Sequence, residues 1–213
     1  MTLKIGCLAG EETHRQWQAG LIAGQRLGAR DTPFGASGEV FLVENQGEPF
    51  YLIARYGPGA RKTSPASINS RANLYAMKDL GVQCVLDWGP GGAISHTLAV
   101  GDLVLLDDLI DQTFLRKPTF FERSALGYLR QFPVFCETLR GVTEEALADL
   151  GLPCQGEGTA AVREGPRLET PAEIRLLAAG GAAVVTHLFV PETFLAKELE
   201  LCYAAACYVV NYA

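Results

Sequence analysis

Residues Ala161–Glu192 read AVREGPRLETPAEIRLLAAGGAAVVTHLFVPE, and this stretch decides the fold. It predicts a strand, a Gly-Pro turn, a capped helix, a second strand and the start of another helix. Thr170 suits an N-cap, Pro171 suits the first helical position, and Glu173 completes a T-x-x-E capping box. Gly180-Gly181 stops that helix. Ala182–Thr186 is a short apolar strand, and Pro191 opens the next helix. The turn carries Glu164, Arg167 and Glu169, so polar groups stand at both strand ends, where open α/β sheets place their ligands.

The same alternation extends outward. Met1–Gly10 reads as a buried strand, followed at once by Glu11 and Glu12, a solvated acidic turn or a loop hostile to anions. Asp31–Gly35 reads as a loop. Glu39–Glu44 and Pro49–Tyr56 flank Asn45-Gln46-Gly47-Glu48 as a β-hairpin, and Gly57-Pro58-Gly59 breaks its second strand. Arg55 at that strand end is an anion ligand or a surface arginine. Pro65–Leu80 is helical by its apolar spacing, with Asn69 and Asn73 one turn apart. Val82–Trp88 is a strand running into Gly89-Pro90-Gly91-Gly92, where a ligand can approach the backbone. Leu103–Leu106 is another strand, Ile110–Pro133 an aromatic-rich irregular segment, and Phe135–Leu150 a helix ended by Gly151 and Pro153. Gly158–Arg163 and the tail Leu201–Tyr212 are strands, the last of them central. Strands alternating with helices over 213 residues give one α/β domain with a mixed or mostly parallel sheet.

Composition narrows the function. A net charge of −6 with no Lys/Arg run argues against nucleic acid or an anionic membrane as partner. No apolar run is long enough for a bilayer span, and the N-terminus lacks a signal-peptide pattern, so a cytoplasmic protein is expected. Cys7, Cys84, Cys136, Cys154, Cys202 and Cys207 are scattered without C-x-x-C and read as reduced core thiols. His14, His96 and His187 show no metal-ligand spacing, so no metal or other cofactor is expected.

Specific motifs go further. Lys4-Ile5-Gly6, Asp31-Thr-Pro-Phe-Gly35, Ala54-Arg55-x-Gly57 and Pro65-x3-Asn69-x2-Ala72-Asn73 occur in order. Gly101-Asp102, Ile110-Asp111-x-Thr113, Gly158-Thr159, Glu164-Gly-Pro-Arg167, Ala172-Glu173, Val190-Pro-Glu192, Leu195-Ala-Lys-Glu198 and Cys202-Tyr203 follow. Together they resemble the trimeric purine nucleoside phosphorylase and methylthioadenosine phosphorylase family across nearly the whole chain. The resemblance implies a twisted mixed sheet closing into a partial barrel flanked by helices, and a homotrimer with sites at subunit interfaces. It also implies phosphorolysis of an N-glycosidic bond through an oxocarbenium-like transition state. That chemistry needs an anion near the sugar C1 and a hydrogen-bond donor at the departing purine.

Carried over by position, Gly91, Leu168, Glu169 and Asn211 correspond to the base site. Glu169 with Asn211, whose amide both donates and accepts, implies a 6-oxopurine; a methylthioadenosine-type substrate is the neighbouring choice. His187 and Tyr128 fall at the sugar. His187 is a hydrogen-bonding group, a general base or a core histidine. Gly10, Glu11, Arg55, Tyr56, Pro90 and Leu188 occupy the phosphate positions. There Glu11 stands for Ser or Thr, Tyr56 for the usual His, Pro90 lacks an N–H, and Leu188 lacks a hydroxyl. No histidine stands near Arg61–Thr63. The family's C-terminal helix beyond Asn211 has no counterpart, so the resemblance implies a site closed by a neighbouring subunit or open to water. Glu11, Asn211 and His187 are the catalytic candidates. A phosphorylase-like glycosyltransferase is the leading expectation. A hydrolase using Glu11 and a silent nucleoside-binding or assembly protein are the alternatives.

Overall fold

The computed structural model describes residues 3–44, 47–56, 63–124, 126–152 and 154–213. Asn45, Gln46, Gly57–Arg61 and Pro153, named above in turns and helix stops, lie outside the described residues. One mixed sheet of eleven strands is flanked by helices, and β5 (Cys84–Ala93) is its axis. The first half of β5 pairs in parallel with β1 (Ile5–Ala9), from Ile5 opposite Cys84 to Leu8 opposite Asp87. Its last two residues pair antiparallel with β10 (Val184–Thr186). On its other side β11 (Cys202–Tyr212) runs parallel from Cys84 to Ala93. Residues Trp88–Gly91 therefore have β11 on one side and neither β1 nor β10 on the other. The sheet forks there, and such a change of partner leaves a crevice at the strand ends.

From the fork, one arm continues through β1 to β4 (Phe50–Ala54), β3 (Gly35–Val43) and β2 (Gly24–Thr32). The other passes through β10 to β9 (Thr159–Arg163) and β7 (Asp108–Gln112). Two short strands, β6 (Leu103–Leu105) and β8 (Cys154–Gln155), extend the free edge of β11. Leu8, Ile53, Val85, Leu74 and Met77 of α2 (Ser70–Asp79) and Leu195 of α5 (Glu192–Glu198) share one buried core. The remaining helices are α1 (Glu11–Gln18), α3 (Glu137–Asp149) and α4 (Pro171–Ala179). Among the described residues no helix is long and apolar enough to cross a membrane.

The opening stretch folds as its sequence predicts. Thr170 Oγ1 accepts from the Glu173 amide at 3.3 Å, and Glu173 Oε2 accepts from the Thr170 amide at 2.8 Å, closing the capping box. Elsewhere local chemistry moved the boundaries. Glu11 and Glu12 do not form a turn; they open α1, where the helix dipole favours acids. Asp31–Gly35 is the tip of a β2–β3 hairpin rather than a free loop, with Thr32 Oγ1 donating to Gly35 O at 2.6 Å. The predicted helix Pro65–Leu80 splits into a 3₁₀ turn, Pro65–Ser67, and α2. Asn69 separates them because its side chain caps Ala72 N and also reaches Phe34 O. Asn73 is buried, accepts from Gly38 N and donates to Arg55 O, so it ties α2 to β3 and β4. The expectation of six reduced thiols is corrected at one pair: Cys136 and Cys202 form a disulfide, while Cys7, Cys84, Cys154 and Cys207 are free.

Candidate active site

The fork opens into a cavity of about 270 Å³. Pro90, Gly91 and Gly92 of β5 form one wall, and Val185–Leu188 form the next. The end of β11, with Asn211, and the α4 entry, with Leu168, Glu169 and Ile174, complete it together with Tyr56. Glycine is what lets these elements close. A Cβ on Gly91 would stand 2.6 Å from Cys207 Sγ and 2.9 Å from Val185 O, and one on Gly89 would stand 2.3 Å from Leu188 Cδ1. Thr186 fastens the second wall to the first: its hydroxyl donates to Pro90 O at 2.8 Å and accepts from Leu188 N at 3.3 Å.

Glu169, His187 and Asn211 stand among the polar side chains that line this mostly apolar surround. Glu169 has a side chain only 6% exposed, and its nearest cation, Arg163 Nε, is 3.8 Å away. Arg163 is itself engaged by Glu173 and Gln112, each at 2.5 Å, so the Glu169 carboxylate is loosely compensated and suited to a ligand N–H. His187 Nδ1 lies 3.2 Å from Arg163 O; a carbonyl only accepts, so Nδ1 carries the proton and Nε2 is the accepting nitrogen. Asn211 follows a bulge in β11 and brings an amide with both donor and acceptor. Glu164, at the start of the turn, has no place in the cavity. It accepts from Phe114 N, Leu115 N and Arg116 Nε at 2.7, 2.9 and 3.1 Å, which fixes the turn. Burial acts to raise its carboxyl, but those donors outweigh it and hold it below the usual carboxylate range.

A second cavity of about 570 Å³ adjoins the first and shares Tyr56, Pro90 and Leu188 with it. Gly10, Glu11, Glu12, Arg15, Thr63 and Tyr208 line its remainder. Glu11 Oε1 accepts from Arg15 Nη2 at 2.5 Å, and Arg15 Nη1 lies 3.6 Å from Glu12 Oε2. Among the described residues this cavity is lined by two carboxylates and one arginine. Burial raises the Tyr56 and Tyr208 hydroxyls, with Arg55 opposing, so both remain neutral at physiological pH.

Of the sequence candidates, the first cavity gathers Tyr56, Pro90, Gly91, Leu168, Glu169, His187, Leu188 and Asn211, and the second adds Gly10 and Glu11. Two candidates stand elsewhere. Arg55 is neither a surface arginine nor an exposed anion ligand: its guanidinium is fully buried, pairs with Asp87 and lines neither cavity. Tyr128 is 92% exposed and also lines neither. Thr186, Ile174 and the buried acids Asp87 and Glu192 were not singled out by the sequence reading. A visible signal existed for one of them, since Asp87 is the lone acid in the apolar run Val82–Trp88.

The Phosphorylase superfamily profile matches residues 4–213. The chain belongs to this superfamily. A "Probable 6-oxopurine nucleoside phosphorylase" of Thermococcus kodakarensis is 39% identical over 190 residues, 86% of this chain and 70% of the relative. An "S-methyl-5'-thioadenosine phosphorylase" of Anopheles gambiae is 33% identical over 216 residues, 99% of this chain and 76% of the relative. Among solved structures, the methylthioadenosine phosphorylase of Schistosoma mansoni in complex with tubercidin superposes with a TM-score of 0.91 at 25% identity. It covers 99% of this chain and 81% of that one. The mixed sheet flanked by helices is thus the superfamily's fold.

Proposed function

We propose that this superfamily member cleaves the N-glycosidic bond of a purine nucleoside, with a 6-oxopurine as the favoured base. The observation that carries this is the pairing of Glu169 and Asn211 in one largely apolar cavity. A flat heterocycle fits between its apolar walls. The Glu169 carboxylate accepts a ring N–H, and the Asn211 amide meets a ring nitrogen and the 6-oxo group together. Negative charge gathering on the departing purine is then met by the Asn211 donor, and His187 Nε2 is placed to accept from a sugar hydroxyl. The names of the relatives support the same substrate class. Free base should be followed from inosine, guanosine, adenosine and methylthioadenosine, with and without phosphate. Hypoxanthine and guanine should appear fastest. Adenine released faster, or no base at all, overturns the reading.

The second cavity favours one further reading, hydrolysis. On this reading Glu11, which lines the space beside the first cavity along with Tyr56, Pro90 and Leu188, activates water; its lining of the second cavity supports this. Phosphate-independent release that vanishes in Glu11→Gln supports this, whereas unchanged release in that variant refutes it. We also propose that residues 1–213 act as one unit within a homotrimer. Phe114, Tyr128 and Phe132 are 77, 92 and 81% exposed, an aromatic set suited to a subunit interface. A monomeric mass by light scattering at micromolar concentration would refute the trimer.

A further inference from the structure

We propose that Asp87 determines which nucleophile the site accepts: by holding Arg55 inside the core it closes the second cavity to inorganic phosphate. The inference rests on the two cavities forming one glycoside-cleaving site. Arg55 follows β4 directly, and its neighbour Tyr56 lines both cavities, so the backbone carries a cation to the edge of the site. Instead the guanidinium turns inward. Its Nη2 donates to Leu8 O at 2.8 Å, to Trp88 O at 2.9 Å and to Asp87 Oδ1. The other Asp87 oxygen, Oδ2, accepts from the Tyr203 hydroxyl at 2.6 Å. Both oxygens are therefore held by buried donors, one beyond β4 and one on β11. Asp87 and Arg55 side chains are each 0% exposed.

This arrangement does not follow from a need to satisfy Arg55. Its Nε and Nη1 are buried without a hydrogen-bond partner, and so is Oε2 of the neighbouring Glu192. The carboxylate of Asp87, and not the completion of the guanidinium's own hydrogen bonds, therefore sets where the cation sits. Reaching an anion in the cavity would leave Asp87 buried and uncompensated, which is among the most unfavourable states in a protein interior. The expected consequence is phosphate affinity lower by roughly 100- to 1000-fold than a freed Arg55 would give. Asp87 is thus a positioning residue that acts through Arg55.

The test titrates sodium phosphate against sodium chloride at matched ionic strength, with two readouts. In thermal melts the wild-type midpoint should show only the non-saturating rise that an excluded anion gives, while Asp87→Asn should gain a saturable, phosphate-specific rise. In the inosine assay the wild-type rate should be flat in phosphate, and Asp87→Asn should accelerate at least tenfold. Asp87→Glu, which restores the carboxylate, should return the phosphate-insensitive state. A saturable, phosphate-specific response in wild type, or a folded Asp87→Asn without one, overturns the proposal. Should Asp87→Asn fail to fold, Asp87→Ser removes the carboxylate with a smaller side chain, and a folded Asp87→Ser protein without a phosphate response overturns it equally. Failure of the nucleoside reading is separate: no base would be released by any variant, while the melts still report on phosphate.

Discussion

At the residue scale the proposed base site rests on Glu169 and Asn211, which line one cavity, and their chemistry differs enough to be separated. Replacing Glu169 by Gln keeps the shape but removes the charge from its hydrogen bond to a ring N–H. A hydrogen bond to a charged group contributes about 1.5–3 kcal/mol, so kcat/KM for inosine should fall roughly 10- to 150-fold, measured by hypoxanthine release. Asn211→Asp loses the amide donor and keeps acceptors only, so the preference should move from inosine toward adenosine, whose 6-amino group donates. An unchanged inosine-to-adenosine ratio in Asn211→Asp would remove Asn211 from base recognition. Glu169 was reached through the family resemblance, since its local sequence reads equally as an acid at a helix N-terminus. Arg55 was not legible, because its partner Asp87 lies 32 residues away. Nothing in either local sequence shows that both side chains enter one core.

At the element scale the boundaries that survived are those set by local hydrogen bonds. The α4 capping box uses residues three apart, so the sequence alone carries it. Thr170→Ala should lower stability by about 1 kcal/mol and the melting temperature by roughly 2–4 °C, by calorimetry. Strand β2 was missed for the opposite reason. Its sequence, GQRLGARDT, has no apolar alternation, and it lies at the sheet edge with two bulges, paired among the described strands with β3 alone. The Cys136–Cys202 disulfide was equally hidden, because pairing follows from α3 entering beside the start of β11. It closes a loop with a sequence separation of 66, which in the chain-entropy view stabilises by about 4 kcal/mol. Cys136→Ser, or the wild type melted with reductant, should therefore lose most of that amount, and the reductant should leave the melting of Cys136→Ser unchanged.

At the scale of the whole molecule, the acids buried around the fork set how stability follows pH. Glu164 is held below the usual carboxylate range, so its contribution is present above about pH 4.3, the unfolded value, and is lost as pH falls through the folded one. Glu192 behaves in the opposite sense. Burial first, then the charge of Asp87, push its carboxyl up against the opposing pull of Arg55 and Ser70. A raised folded value means that stability is fully present below the unfolded value and is lost as pH rises through the folded one. Glu192→Gln isolates this term. Ser70 Oγ donates to Glu192 Oε1 at 2.8 Å, and the Gln carbonyl can accept the same bond, so packing and hydrogen bonding are conserved while the titration is removed. Relative to wild type, the Glu192→Gln melting temperature should rise as pH increases from about 4 and level off once Glu192 has ionised. A difference that stays constant from pH 4 to 8 would show that this carboxyl binds protons equally in the folded and unfolded chain, so that burial does not raise it. Glu192 would then be ionised in the core beside Asp87, and both carboxylates would face the charge of Arg55.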